Sequence, residues 1–435
     1  MNSMDKAQTR LIRAARVVDP ANQRDETADI LIVDGVIRDI GQNLDAPADC
    51  AILDADGLIA APGLVDMHVH LREPGYEYKE TIAGGCRAAA AGGVTAVAAM
   101  PNTKPVNDDP SVTGYILDKA DQAGLAAVFP IGAITKGLGG KEITEMGLLS
   151  EAGCVAFSDD GLPVMDSGVM RRALDYSRTF GSLVIQHAED NGLVGCGCMN
   201  EGPVATRLGL PGIPNASEDI LVERDIRLVE LTGGRYHVAH ISSAQAVAAV
   251  ADAQQRGLPV TCEAAPHHFS LTDEAVADYQ SDAKMAPPLR CLADRDALRE
   301  GLARGVISVI ATDHAPHDDD SKRVPFSQAA NGVVGLETLL PVSLELVRDG
   351  VMSLSAMLAA VTVNPARLLR INRGTLNIGA PGDVALFDLN EKWTVDRATL
   401  RGAGRNTCFH GRDVQGRVKY TVFGGRVVYV DQNED

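Results

Sequence analysis

Two histidines one residue apart, His68 and His70, sit in the stretch GLVDMHVHLREPG at Gly63–Gly75. On a strand, alternate side chains share a face, so both imidazoles point one way and Val69 the other. Neutral imidazoles converging on one point form a ligand geometry for zinc and similar divalent cations. Arg72 follows two residues later, where a guanidinium can hold an anion beside such a cation. Further polar groups of the right type come from distant parts of the chain. Asp160, His187, His240 and Asp313 each end a short apolar run, in VAFSDD, LVIQH, YHVAH and VIATD. Six nitrogen and oxygen ligands at corresponding points of successive segments favour a metal site over isolated structural histidines.

The elements that must position these groups alternate along the middle of the chain. TAVAAM, AAVFPIGAI, SLVIQHAED and PVTCEAAPHH are apolar strand segments; ETIAGGCRAAAAGG, GVMRRALDYSRTFG, SAQAVAAVADAQQRG and DRDALREGLARG are helical and end in glycine, as a C-cap would. Strand–helix alternation over this length predicts parallel strands with crossover helices, and about eight units favour an α/β fold of the (β/α)8 TIM-barrel type. The candidate ligands fall at the C-terminal strand ends, the functional face of such a barrel. The two ends of the chain read differently. ILIVDGVIRDIG and AILDADGLIAAPG carry Asp-Gly turns that predict hairpins, and VKYTVFGGRVVYV carries a Gly-Gly turn. The expected organisation is a catalytic barrel over 61–370 and a small β-sandwich domain built from both termini, 1–60 and 371–435.

Composition narrows the class of function. At 435 residues the chain is long for one core, and 45% hydrophobic with 23% charged residues is globular composition. The net charge of −18 repels polyanions, which argues against a nucleic acid or acidic membrane partner. A small anionic substrate would have to be drawn in by local positive charge. No secretory h-region or membrane-length apolar run is found. The eight cysteines include no C-x-x-C pair, so reduced thiols in a cytoplasmic protein are expected.

With DMHVH, a strand-end acid, two later lone histidines and TDH, the sequence resembles the amidohydrolase superfamily. HVHLREPG, AMPNTKP, FSDDG, KMAPPLR and IATDHAPH resemble, within it, dihydroorotases of the long bacterial type, from about residue 10 to the C-terminus. The resemblance implies reversible, metal-dependent cyclisation of N-carbamoyl-L-aspartate to dihydroorotate in de novo pyrimidine (UMP) biosynthesis. It implies Zn2+, one or two ions per subunit, with a binuclear site expected. His68, His70 and Asp313 match ligands of the first metal, and His187 and His240 those of the second. Many relatives bridge the two ions with a carboxylated lysine. FSDDG has no lysine; Asp160 falls on the bridging position, with Asp159 as the alternative, read as a turn acid.

The resemblance also assigns the chemistry around the ions. Asp313 would serve as general base and then acid in ring opening. Arg72 and Asn102 would bind the substrate carboxylate, His70 would border the substrate, and His317 with the backbone of Asn331 and Gly332 would complete the pocket. His314 faces away by strand logic; His267 and His268 read as supporting or packing groups, and His237 and His410 as structural. An asparagine often precedes PPLR in the family, whereas this chain has Ala286. The polar segment from His317 to Gly332 resembles a loop over the site, either lid or disorder. A homodimer, or a complex with aspartate transcarbamoylase, is what the resemblance suggests. The rival readings are a hydantoinase or allantoinase, which opens similar rings, and a non-catalytic scaffold for aspartate transcarbamoylase.

Overall fold

The computed structural model describes residues 9–431. Eight parallel strands form the centre: Leu64–Val69, Val94–Ala99, Ala127–Gly132, Ala156–Ser158, Leu183–Gln186, Arg235–Val238, Val260–Ala264 and Val309–Ile310. They pair in chain order, and a parallel bridge from Val69 to His314 brings the last segment back to the first. Each strand leads to a helix on the outside, from Ile82–Ala91 after the first to Leu339–Arg348 after the eighth. This is the expected (β/α)8 TIM barrel. Helix caps follow from the local sequence: Thr81 accepts from Gly84 N at 3.0 Å, and Asp109 caps a helix whose first residue is Pro110. Gly257 and Gly305, just beyond two helix ends, hold left-handed φ values of 75° and 74° that a side chain would disfavour.

Asp66 fastens the closure of the barrel. It is fully buried; its Oδ1 accepts from Thr312 N at 3.1 Å and from His68 N at 3.2 Å, and its Oδ2 accepts from Thr312 Oγ1 at 2.5 Å. One carboxylate thus ties the first strand to the residue preceding Asp313. Burial raises its pKa to about 7, against the pull of these hydrogen bonds.

The chain ends meet in a second sheet of eight strands, which runs from Arg426–Val430 through Asp413–Phe423, Val384–Thr394, Ile59–Pro62, Thr9–Asp19 and Arg24–Val33 to Val36–Gly41, with Ala51–Asp54 branching from Thr9–Asp19. Ile12, Ile30, Ile37, Ala60, Leu386 and Val422 give it a core of its own. Two of the predicted hairpins form, at Asp34–Gly35 and Gly424–Gly425, where both central residues have positive φ as this turn type requires. The hairpin expected at Asp56–Gly57 does not form. Ala51–Asp54 and Ile59–Pro62 both run parallel to Thr9–Asp19, one after the other along it. That long strand is bulged between Ile12 and Ala15, with Ala14 at φ 59°, so it offers two separate pairing segments. Asp56–Gly57 carries the chain from one to the other.

Candidate active site

His68 lies near the end of the first strand, and His70, Asp160, His187, His240 and Asp313 lie one to three residues beyond strand ends. All six meet at the C-terminal mouth. His68 Nε2 and His70 Nε2 are 3.2 and 3.3 Å from the two carboxylate oxygens of Asp160. Asp313 Oδ1 is 3.1 Å from His70 Nε2 and 3.5 Å from His68 Nε2. On the other side of Asp160, His240 Nε2 is 3.6 Å from Oδ1, and His187 Nδ1 is 3.0 Å from His240 Nε2. Asp160 therefore stands between two ligand sets, His68–His70–Asp160 and Asp160–His187–His240. All six residues are buried. The other acid of the pair, Asp159, turns to Thr135, accepting from its backbone N at 2.9 Å and from its hydroxyl.

This arrangement fits a divalent cation. His68 Nε2 and Asp160 Oδ1 are enclosed, face each other and have no well-directed hydrogen-bond partner. Burial lowers the basicity of the His68 and His187 imidazoles, yet the carboxylates around them more than reverse it. The field at this point favours positive charge. Two histidines also have their outer nitrogens engaged: His70 Nδ1 is 2.9 Å from Asn102 Oδ1, and His187 Nε2 is 3.1 Å from Glu189 Oε2. An N–H directed at those acceptors leaves the inner nitrogens with lone pairs toward the centre. Three residues here have left-handed backbone without being glycine: Arg72 at φ 64°, His240 at 32° and Asp313 at 49°. Such conformations cost energy and persist where surrounding structure imposes them, commonly at functional sites.

A basic pocket adjoins the ligands. Arg72 Nε donates to Pro316 O at 3.2 Å, and its Nη2 is 3.4 Å from His317 Nε2. His317 Nδ1 lies 3.3 Å from Lys79 Nζ, and its Nε2 lies 2.8 Å from Asn331 O. Burial, with the charges of Arg72 and Lys79, pushes the His317 pKa down to about 3, so the ring is neutral. Burial lowers the Arg72 pKa to about 10, which leaves the guanidinium charged at neutral pH. Asn102 reaches inward rather than toward open pocket: its amide spans His70 Nδ1 and, at 3.3 Å, Asp160 O. The Gly332 N–H is engaged too, donating to Lys284 O at 2.9 Å.

The segment after His317 is ordered and joined to this basic cluster through Asn331 O. Asp318 caps a short helix, Asp319–Lys322, and Phe326 is buried. Two buried lysines grip its main chain. Lys322 Nζ donates to Ala330 O and Gly332 O at 2.8 and 3.0 Å, and Lys284 Nζ donates to Ser327 O and Ala329 O at 2.9 and 2.7 Å. In KMAPPLR the grip on this segment thus falls to Lys284, two residues before Ala286, while buried Arg290 donates to Ser242 Oγ and Ile213 O.

Sequence reasoning missed four groups behind the ligands: Asp66, Glu189, Glu263 and His237. Glu263 Oε1 is 2.5 Å from His68 Nδ1, and its Oε2 is 3.2 Å from His237 Nε2. Burial raises the Glu263 pKa, but the two imidazoles outweigh it and bring it to about 2. His237 is fully buried in this chain of contacts rather than bland, whereas His410 is exposed. The signals were present. Asp66, His68 and His70 alternate on one strand, and Glu263 is a lone acid in the otherwise apolar PVTCEAAP. His314 turns away, its Nδ1 accepting from Gly335 N at 3.1 Å. His268 contacts Pro287 O at 2.9 Å, and His267 packs on it with ring centroids 4.4 Å apart.

The barrel and its mouth define an amidohydrolase, a class of metal-dependent enzymes. A family model described as amidohydrolase family matches residues 224–429, and one described as Dihydro-orotase-like matches residues 57–246. The L-hydantoinase (dihydropyrimidinase) from Arthrobacter aurescens superposes with a TM-score of 0.86 at 26% identity, over 96% of this chain and 95% of that one. Sequence relatives are much nearer. The dihydroorotase of Geotalea daltonii is 52% identical over 96% of this chain and 98% of its own length. That of Anaeromyxobacter dehalogenans strain 2CP-C is 54% identical over 98% of both chains. The chain belongs to the dihydroorotase family. No described helix is long and apolar enough to cross a membrane, and all eight cysteines are free thiols.

Proposed function

We propose that this protein is a dihydroorotase, opening the cyclic amide of dihydroorotate to N-carbamoyl-L-aspartate and closing it again in pyrimidine biosynthesis. The observation that carries this reading is the meeting of five candidate ligands around a sixth, Asp160, beside the Arg72–His317 pair, in a chain of this family. The ligand set suits one or two zinc ions per subunit, with His68, His70 and Asp313 at one, His187 and His240 at the other and Asp160 between them. Bound zinc supplies Lewis acidity, lowering the pKa of water and polarising the amide carbonyl.

The side chains supply the rest. Arg72 binds the ring carboxylate through its guanidinium, and neutral His317 lines the same pocket without competing for that charge. The Asp313 carboxylate takes a proton from the attacking water as the C–O bond forms. It returns that proton to the ring nitrogen as the C–N bond breaks, and the reverse sequence closes the ring. His70 borders the substrate, and Asn102 sets the His70 ring from behind, its oxygen at His70 Nδ1 and its NH2 on Asp160 O. Asn331 and Gly332 border the substrate through their backbone, Asn331 O being held at His317 Nε2. The working form is placed in the cytoplasm, as a homodimer or with aspartate transcarbamoylase.

Steady-state turnover in both directions, with zinc content determined on the same sample, tests this reading. Turnover of both dihydroorotate and N-carbamoyl-L-aspartate by zinc-loaded protein is expected. Faster turnover of hydantoin or allantoin would reassign the substrate. Protein that neither binds zinc nor turns over any of these rings would be a scaffold.

A further inference from the structure

Behind the ligands runs a line of four side chains, three of them buried and Thr261 half-buried at its end, from two neighbouring strands and the first. Thr261 Oγ1 is 2.7 Å from His237 Nδ1, His237 Nε2 is 3.2 Å from Glu263 Oε2, and Glu263 Oε1 is 2.5 Å from His68 Nδ1. The backbone N–H of His240 also points at Glu263 Oε1, at 3.4 Å. His68, His237 and Glu263 are sealed from solvent. With His68 Nε2 given over to a cation on its Asp160 side, the one proton of the neutral ring sits on Nδ1 and is donated to Glu263. The other Glu263 oxygen accepts from His237 Nε2–H. That leaves His237 Nδ1 as an acceptor for the Thr261 hydroxyl.

We infer that Glu263 is the positioning residue of the metal centre. It fixes the tautomer of His68, brings a negative charge to its outer nitrogen, and is itself held by His237 and Thr261. The inference rests on the metal-dependent reading above and names the group that readies one of its ligands. A carboxylate hydrogen-bonded to a ligating imidazole raises its basicity, and loss of such a partner typically costs about 10–100-fold in metal affinity.

The variant Glu263→Gln separates charge from shape. Its amide oxygen can still accept from His68 Nδ1–H while its NH2 faces His237. The His237 proton must then move from Nε2 to Nδ1, where the Thr261 hydroxyl accepts it. Two measurements follow. Apo protein is titrated with Zn2+ against a chromogenic chelator, and histidine tautomers are read in the zinc-loaded protein from long-range 15N–1H correlations. The expected result is Nδ1–H on His68 and Nε2–H on His237 in the parent, a shift of the His237 proton to Nδ1 in E263Q, and a zinc dissociation constant about 10–100-fold higher. Equal zinc affinity in E263Q and parent overturns the inference and leaves the function standing. So does a parent His68 protonated at Nε2, a result available even where the variant does not fold. Parent protein that takes up no zinc overturns the functional reading instead.

Discussion

Single residues divide the work between charge and position, and substitution separates the two. Replacing Arg72 by Met removes the guanidinium proposed to bind the substrate carboxylate. KM for dihydroorotate should rise about 10–100-fold, as expected for loss of a charge-assisted contact of about 1.5–3 kcal/mol, with kcat much less affected. Initial-rate kinetics check this, and an unchanged KM would refute the carboxylate clamp. Asp313→Asn keeps the shape of the side chain and removes the base. A fall in kcat of about 10²–10⁴-fold is expected, while metal analysis still finds an ion at the Asp160–His187–His240 set. The six candidate ligands were legible in the sequence, His68 and His70 from their alternation and the other four because each ends an apolar run, so strand geometry brings them to one rim. Glu263 and Glu189 were not. Their partners, His68 and His187, are chosen by ring orientation, and no spacing encodes which way an imidazole turns.

At the scale of elements, strands and helices of the barrel followed their apolar periodicity, and the hairpins followed their turn chemistry. The exception at Asp56–Gly57 is instructive. An Asp-Gly pair specifies a tight turn but not the strand that the next residues join, and here the bulged Thr9–Asp19 strand captures both neighbours in parallel. The segment after His317 has no apolar period to read, because its order comes from two lysines, Lys284 outside it and Lys322 within it. Lys284 and Lys322 each bind two backbone carbonyls, so the loop is held by main-chain contacts that its own sequence does not advertise. Lys284→Met removes two charge-assisted hydrogen bonds. Amide hydrogen exchange across 318–331 should then accelerate about ten-fold or more, since 1.4 kcal/mol of lost local stability is a factor of ten. KM should rise with it, while exchange in the barrel strands stays unchanged. Unaltered loop exchange would assign the loop's order to another contact.

Over the whole molecule, barrel and outer sheet are joined through polar groups as well as apolar ones. Glu337, in the turn before helix Leu339–Arg348, accepts from Arg401 N at 2.6 Å, which ties the barrel to the C-terminal segment. Burial raises its pKa from 4.5 to about 7, against these hydrogen bonds and nearby arginines. A carboxyl whose folded pKa is raised binds more protons folded than unfolded. Its stabilising contribution is complete below the unfolded pKa and is lost as pH rises through the folded one. Glu337→Gln should therefore match the parent near pH 4 and exceed it at pH 8 by on the order of 2 kcal/mol. Urea midpoints at the two pH values test this, and a difference that does not change with pH would refute it.

The joining of both chain ends in one sheet was visible in their shared turn-rich style. What composition could not show is that the barrel also closes end to end, with Asp66 holding Thr312 beside Asp313. Each architecture thus joins segments far apart in the chain, Asp66 to Thr312 in the barrel and Ile59–Pro62 to Val384–Thr394 in the sheet. A chain cut short of Asp313 would lack both the barrel's closing contact and one of the six candidate ligands, whatever the quality of its earlier strands.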